Sequence, residues 1–351
     1  RKFELNKEII FGKLDNNFTY YIKQNLKPKK KASIHLILKA GSLMEDDDQL
    51  GLAHLIEHMV FNGTKNYPKN EMDKYLNSIG LQIGSDYNAS TGYETTIYKM
   101  EIPTEDISNL DKGIHILSEM VGHASLTNTS FEKEREIVEE EWRSGLGKSQ
   151  RLYEEFQKYL FKNSKFAERQ PIGDMEIIRR FSYETAKRFY YDWYRPNLMG
   201  IIAVGDFDPN YVKKIIEKNF SKLENKSNRF PPDTLLPKYN ETIFLSQSDK
   251  EQTNIYFTIR NKSKKLKLHT IGNARTSSIY NLIIDIVNDR FDALHDKEKI
   301  NYDIAFIDKS SLTSKTDSFV IVGLIKENKI KDGLKSILTE LERIKQNGFI
   351  D

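Results

Sequence analysis

The sequence predicts an α+β protein: a layered mixed sheet packed with helices, built as two homologous repeated domains of which the second is truncated. Three observations lead there. Stretches of alternating apolar and polar residues, the mark of half-buried strands, are interspersed with segments whose apolar residues recur at helical spacing. The succession strand, helix, two strands, helix runs from Ile34 to Val121 and again beyond Asn254, as in a diverged internal repeat. Between them lies a polar stretch with Pro231, Pro232 and Pro237, which reads as a linker. The expected division is therefore 1–222, a linker at 223–241, and an incomplete second domain at 242–351.

Taken in order, Ile9 and Phe11 alternate with polar neighbours, as do Phe18, Tyr20 and Ile22, around Asp15-Asn16-Asn17. That is a β-hairpin. Ile34, Leu36 and Leu38 make a third strand, with His35 on its other, exposed face. An acidic turn from Glu45 to Asp48 leads into a first helix. A second helix over 70–78 stops at Gly80, a C-terminal cap. Strands follow at 81–89 and 95–102. Ile107, Leu110, Ile114, Leu117 and Val121 then mark a long amphipathic helix, and His115 and His123 on it have no partner at ligand spacing. An acidic helix covers about 130–145, and a strand at 198–204 runs into Asp208-Pro209, an N-cap followed by a first-turn proline. In the second domain the expected elements are strands at 242–245 and 254–259, a helix at 277–294, strands at 302–307 and 318–324, and a helix at 329–346.

The first helix carries His54-Leu55-Ile56-Glu57-His58. Residues four apart on a helix share a face one turn apart, so both imidazoles can reach one ion, with the Glu57 carboxylate at its edge. A catalytic zinc site needs three protein ligands and an open position, and a peptidase also needs a carboxylate to take a proton from water. The order H-x-x-E-H inverts the commoner H-E-x-x-H. Only one ligand is missing from these five residues. In the acidic helix, Glu134 and Glu141 stand seven positions apart, two turns along one face. The helix expected at 277–294 has no such motif, so only the first copy can bind metal.

Composition narrows the function classes. Fifty-four Lys and Arg nearly balance 51 Asp and Glu, for a net charge of +3. No nucleic-acid footprint results, and the run Lys27-Pro28-Lys29-Lys30-Lys31 reads as a solvated turn between strands. There is no cysteine, hence no disulfide and no thiolate metal site. No apolar run reaches transmembrane length. The start at Arg1 without Met and the stop five residues after the last helix point to a piece of a longer protein.

Further residues carry a family resemblance. Gly41-Ser42, Gly51-Leu52-Ala53 before His54, and Met59 to Lys65 after His58 resemble the pitrilysin or insulinase family of zinc metallopeptidases, the inverted zincins. So do Asn88-Ala89-Ser90-Thr91, Glu94-Thr95-Thr96, Tyr194-Arg195-Pro196-Asn197 and Gly205-Asp206-Phe207. The helix Glu134 to Arg143, with its Glu-Glu-Trp-Arg ending, is similar to the third-ligand helix of the family's large bacterial members. The match covers about Ile9 to Asp208 clearly and extends more weakly through the repeat.

The resemblance implies a fold of the metallopeptidase-processing-peptidase type. It also implies one zinc ion held by His54, His58 and Glu141, with Glu57 as general base and Glu134 as the supporting carboxylate. From His58 to Glu141 is 83 positions, several more than the commonest family spacing. The extra residues fall around Gly84 to Tyr87, in a hairpin where insertion is cheap; placed elsewhere, they would make Glu134 or Glu140 the ligand. The resemblance further implies that Asn88, Ala89, Ser90 and Thr91 form an exposed edge to which a peptide substrate adds as a strand, Asn88 orienting a carbonyl. Against this stands the reading of Asn88 as an ordinary turn residue. The implied partners are peptide substrates and the remaining C-terminal half of the same protein. The implied compartment is the bacterial periplasm or cell envelope, the cytoplasm being the alternative. A function of another class, a non-catalytic scaffold or processing partner, is expected to lose motif residues, and here all are present.

Overall fold

β1 (Ile9–Lys13) and β2 (Thr19–Gln24) pair antiparallel. Asn16 builds the turn between them: its side-chain oxygen accepts from Phe18 N at 3.1 Å, and Asn17 takes a φ of +71° that asparagine tolerates. β3 (Lys31–Leu38) buries Ala32, Ile34, Leu36 and Leu38 in strict alternation. β4 (Tyr87–Thr91), β5 (Thr96–Pro103) and β6 (Met199–Gly205) complete a six-stranded sheet of order β1-β2-β6-β3-β5-β4. Every neighbouring pair is antiparallel except β2–β6, so the sheet is mixed. This is a computed structural model, and it describes residues 1–82, 84–297 and 300–349.

The helices that join these strands are α1 (Leu52–Met59), α2 (Lys69–Ser78), α3 (Ser108–Gly122), α4 (Asn128–Gly145), α5 (Lys148–Leu160), α6 (Met175–Arg180), α7 (Tyr183–Trp193) and α8 (Pro209–Phe220). α8 starts as its sequence requires, with an Asp208 side-chain oxygen accepting from Asn210 N and Pro209 in the first turn. α1 is buried along nearly its whole length and packs against α4, α7 and β4. Its start depends on two glycines. Gly51 has a φ of +97°, and a Cβ on Gly173 would lie 2.2 Å from the Gly51 Cα. Gly173→Ala is therefore expected to destabilise the protein by about 3 kcal/mol or more, from overpacking plus an unfavourable φ of +80°. Chemical denaturation measures this, and a loss below about 1 kcal/mol would show that the two segments separate easily.

The later elements form a second, three-stranded sheet. β7 (Ile255–Lys264), α9 (Ile271–Lys297), β8 (Tyr302–Ser311), β9 (Thr316–Ile325) and α10 (Ile330–Asn347) follow in sequence. The sheet order is β7-β9-β8, all antiparallel. This repeats β3-β5-β4, with the third strand of each set between the other two. One face is sealed by Val287 and Phe291 of α9 and Ile337 of α10 against Tyr302, Ala305, Ile307 and Ile325. The repeat expected from element order is thus a repeat of topology.

The chain contacts divide into two units. One contains Leu5–Gly147 and Leu160–Asp233; the other contains Arg1–Glu4, Lys148–Tyr159 and Thr234–Asp351. α5 thus groups with the second sheet. Its Arg151 pairs with Asp249 at 2.7 Å, and the Arg260 guanidinium lies 5.6 Å from the Phe156 ring centre.

Four local expectations are corrected. The strand expected at 81–89 is reduced to Tyr87–Thr91, because a turn takes its first half: Asp86 Oδ2 accepts from Gln82 N, and Tyr87 O from Gly84 N. Ile83 lies outside the described residues. No strand forms at 242–245, where Phe244 is 90% exposed and apolar residues alone do not make a strand without a ladder partner. The helix expected at 277–294 starts earlier, because Thr270 caps it by accepting from Asn273 N at 3.1 Å. His35 is half-buried, with Nε2 3.3 Å from Ser33 Oγ, and burial lowers its pKa.

Candidate active site

Three side chains from two helices converge. His54 and His58 project from one face of α1 as their spacing requires, with Nε2 atoms 3.2 Å apart. Glu141, in the last turns of α4, places Oε2 3.6 Å from His54 Nε2 and 3.7 Å from His58 Nε2. Among the described residues this is the group of histidines and carboxylates whose donor atoms could share a metal ion. Bonds of about 2.0–2.1 Å at tetrahedral angles separate ligand atoms by about 3.3–3.4 Å. The three separations lie within about 0.4 Å of that value, so the donor set fits a zinc ion after small side-chain shifts. Glu141 is half-exposed and leaves the site open on one side.

Glu134 lies two turns before Glu141 on α4 and reaches the opposite nitrogen of the same ring. Its Oε2 is 3.2 Å from His58 Nδ1. An ionised carboxylate only accepts, so in the neutral ring the proton sits on Nδ1 and the Nε2 lone pair faces His54. Glu134 is buried, and its Oε1 accepts from Asn62 Nδ2 at 2.7 Å. Glu140, the other alternative ligand, faces away and pairs with Arg143 at 2.7 Å.

Glu57 points from α1 toward β4, where the Thr91 hydroxyl donates to its Oε2 at 3.0 Å. Burial raises its carboxyl above the usual range, although His58 and the Thr91 hydrogen bond pull it down. A base so placed is closer to neutral pH than a surface carboxylate. Burial also lowers His54 to about 4, with the charge of His58 adding to it. For His58 burial acts downward too, but the Glu134 hydrogen bond and the charges of Glu57, Glu134 and Glu141 win, and its pKa is raised.

The expected substrate residues form β4, an outer strand of the sheet. Asn88 and Ser90 are exposed, whereas Ala89 and Thr91 are half-buried. The Asn88 side chain accepts from Ala89 N. Neither His115 nor His123 joins the cluster: His115 Nδ1 is 2.9 Å from the Tyr67 hydroxyl, and His123 is exposed.

Two residues at the site escaped the sequence reading of their roles. One is Asn62. The other is the buried Glu45, whose Oε1 accepts from Ala53 N at 2.8 Å. α1 has no side-chain cap at Gly51, so Glu45 serves the helix start from outside, and burial raises its carboxyl to about 8. Its place in the acidic turn before the motif was the available signal.

The chain is similar to known proteins over nearly its whole length. Residues 20–168 match the family described as insulinase (peptidase family M16), and residues 180–351 match the peptidase M16 inactive domain. The probable zinc protease PqqL of Haemophilus influenzae is 29% identical over 344 residues, covering 97% of this chain and 37% of its own. The crystal structure of the periplasmic protease PqqL from Escherichia coli superposes with a TM-score of 0.90 at 27% identity, over all of this chain and 39% of that one. That of the first half of the same protease gives 0.89 at 27% identity, over all of this chain and 75% of that one. The chain thus spans well under half the length of these whole relatives. Among the described residues no helix is long and apolar enough to cross a membrane. With the inverted motif on α1 and the repeated sheet topology, these matches place the chain in the insulinase family of peptidases, M16.

Proposed function

We propose that this chain is the zinc-binding portion of an endopeptidase that hydrolyses peptides or small unfolded proteins. The observation that carries the reading is the triangle of His54, His58 and Glu141 donor atoms with Glu57 beside it. His54, His58 and Glu141 hold one zinc ion, which when bound supplies Lewis acidity toward water and a peptide carbonyl. Glu57 takes the proton from the attacking water and returns it to the leaving amine. The Thr91 hydroxyl holds the Glu57 carboxylate in place. Glu134 keeps the His58 ring in the tautomer that presents Nε2. Main-chain groups of β4, from Asn88 to Thr91, receive the substrate as an added strand, and the Asn88 side chain orients its carbonyl. The catalytic part is 1–222, and 242–351 is the second copy, which carries no H-x-x-E-H motif. The Escherichia coli relative is a periplasmic protease, which supports the same compartment for this protein.

The experiment combines zinc quantification with hydrolysis of a quenched unstructured peptide. The 351-residue chain is expected to hold one zinc and to cut poorly alone, with full activity requiring the remaining C-terminal half. Absence of stoichiometric zinc would overturn the reading.

The pH dependence of zinc binding follows from the two histidines. His54, at about 4, is already neutral at ordinary pH, whereas His58, with its raised pKa, must release the Nε2 proton. Affinity is therefore expected to be flat above the His58 pKa and to fall about tenfold per pH unit below it. Competition against a chromophoric chelator between pH 8 and 5 reads this slope. A slope of two protons would mean that His54 also carries one and that its environment has been misjudged.

A further inference from the structure

Asn62 closes the short 3-10 turn Val60–Asn62 that follows directly on α1. Its Nδ2 has two acceptors: Glu134 Oε1 at 2.7 Å and the His58 carbonyl at 3.3 Å. Both neighbours are acceptors, which fixes the amide with its nitrogen inward. Glu134 returns the link through Oε2 to His58 Nδ1 at 3.2 Å. The three side chains therefore close a loop from the end of α1 to α4 and back to the ring of a proposed ligand.

A buried carboxylate needs donors on its oxygens. One donor leaves it free to rotate about its last bond; a second on the other oxygen fixes its plane. His58 and Asn62 each supply one to Glu134, on opposite oxygens. The Asn62 bond is the shorter, and Asn62 is held in turn by the His58 carbonyl at the end of α1. Orientation of the His58 ring is thereby set by a residue that touches neither ring nor ion.

We propose that Asn62 is a positioning residue for the metal site: by holding Glu134 it orients His58 for zinc. This rests on the zinc reading above. The test uses the full 351-residue chain and Zn²⁺ itself. Asn62→Leu and Asn62→Asp keep the side-chain size but lose the donor, and both are expected to weaken zinc binding about tenfold, within the range for outer partners of metal ligands. Asn62→Gln keeps a donor amide and is expected to recover most of the affinity. In the Glu134→Gln background, Asn62→Leu is expected to add nothing, because the route through Glu134 is already cut. The absorption spectrum of the Co²⁺-substituted protein should change in Asn62→Leu and return in Asn62→Gln.

A role in folding alone would lower the apo-protein Tm without these effects. Wild-type zinc affinity in Asn62→Leu, or a loss that adds fully to that of Glu134→Gln, overturns the proposal while the zinc reading stands. If Asn62→Leu fails to fold, Asn62→Asp and its Glu134→Gln double variant decide by the same criteria. Absence of zinc from the wild type sinks the zinc reading itself and this proposal with it.

Discussion

Replacing Glu57 by glutamine is expected to lower peptide hydrolysis by about 10³-fold while leaving zinc stoichiometry unchanged. Loss of a positioned general base costs typically about 10²–10⁴-fold, and glutamine has the same shape and can still accept from Thr91 Oγ1. The readout is kcat on a quenched peptide, measured with the longest active form of the protein, alongside bound zinc. Stability should move the other way. Burial raises the Glu57 carboxyl in the folded state, so its contribution is full at low pH and is lost as pH rises through the folded pKa. The neutral amide has no charge to bury, and at neutral pH the metal-free variant is expected to melt no lower than wild type. Such an exchange of stability for function is common at active sites. Retained hydrolysis in Glu57→Gln would assign the proton transfer to another group.

His58→Ala is expected to weaken zinc binding by about 10²–10³-fold. A structural zinc site gains about 10–16 kcal/mol in total; a quarter of this is about 2.5–4 kcal/mol, or about 10²–10³ in affinity. Glu141→Gln removes a charged ligand and should fall in the same range. Glu134→Gln should cost less, about 10–100-fold, because its oxygen lies against Nδ1 and not against the shared donor space. The order of effects is the test: zinc titrations that place Glu134→Gln above Glu141→Gln would exchange their roles. Glu140→Gln is expected to leave affinity unchanged, its partner being Arg143.

What the sequence made legible is what local spacing controls. His54 and His58 share a face because they are four apart, and Glu134 and Glu141 because they are seven apart; neither needed the tertiary fold. Strand alternation located β3 and β6, and Asp208-Pro209 located the start of α8. The failures have a different cause. The Asn62–Glu134 bond joins residues 72 positions apart, and no local pattern announces it. Residues 242–245 have strand composition, but no ladder forms there. The reach of Glu45 to Ala53 depends on the turn between them folding back. α5 lies in a stretch to which the sequence reading assigns no element, and no local pattern says which sheet it belongs to.

The membership of α5 bears on how the protein is made. Residues 148–159 group with 234–351, but a ribosome delivers them long before β7, whose first residue is 96 positions after Tyr159. At roughly 5–20 residues per second this is a delay of about 5–20 s, far longer than a helix needs to form. During that interval Phe156 has no Arg260 above it, and Arg151 has no Asp249 to bind. The nascent chain therefore passes through a stage in which residues 148–159 await the segment they group with, and a helix of that length is only marginally stable by itself in water.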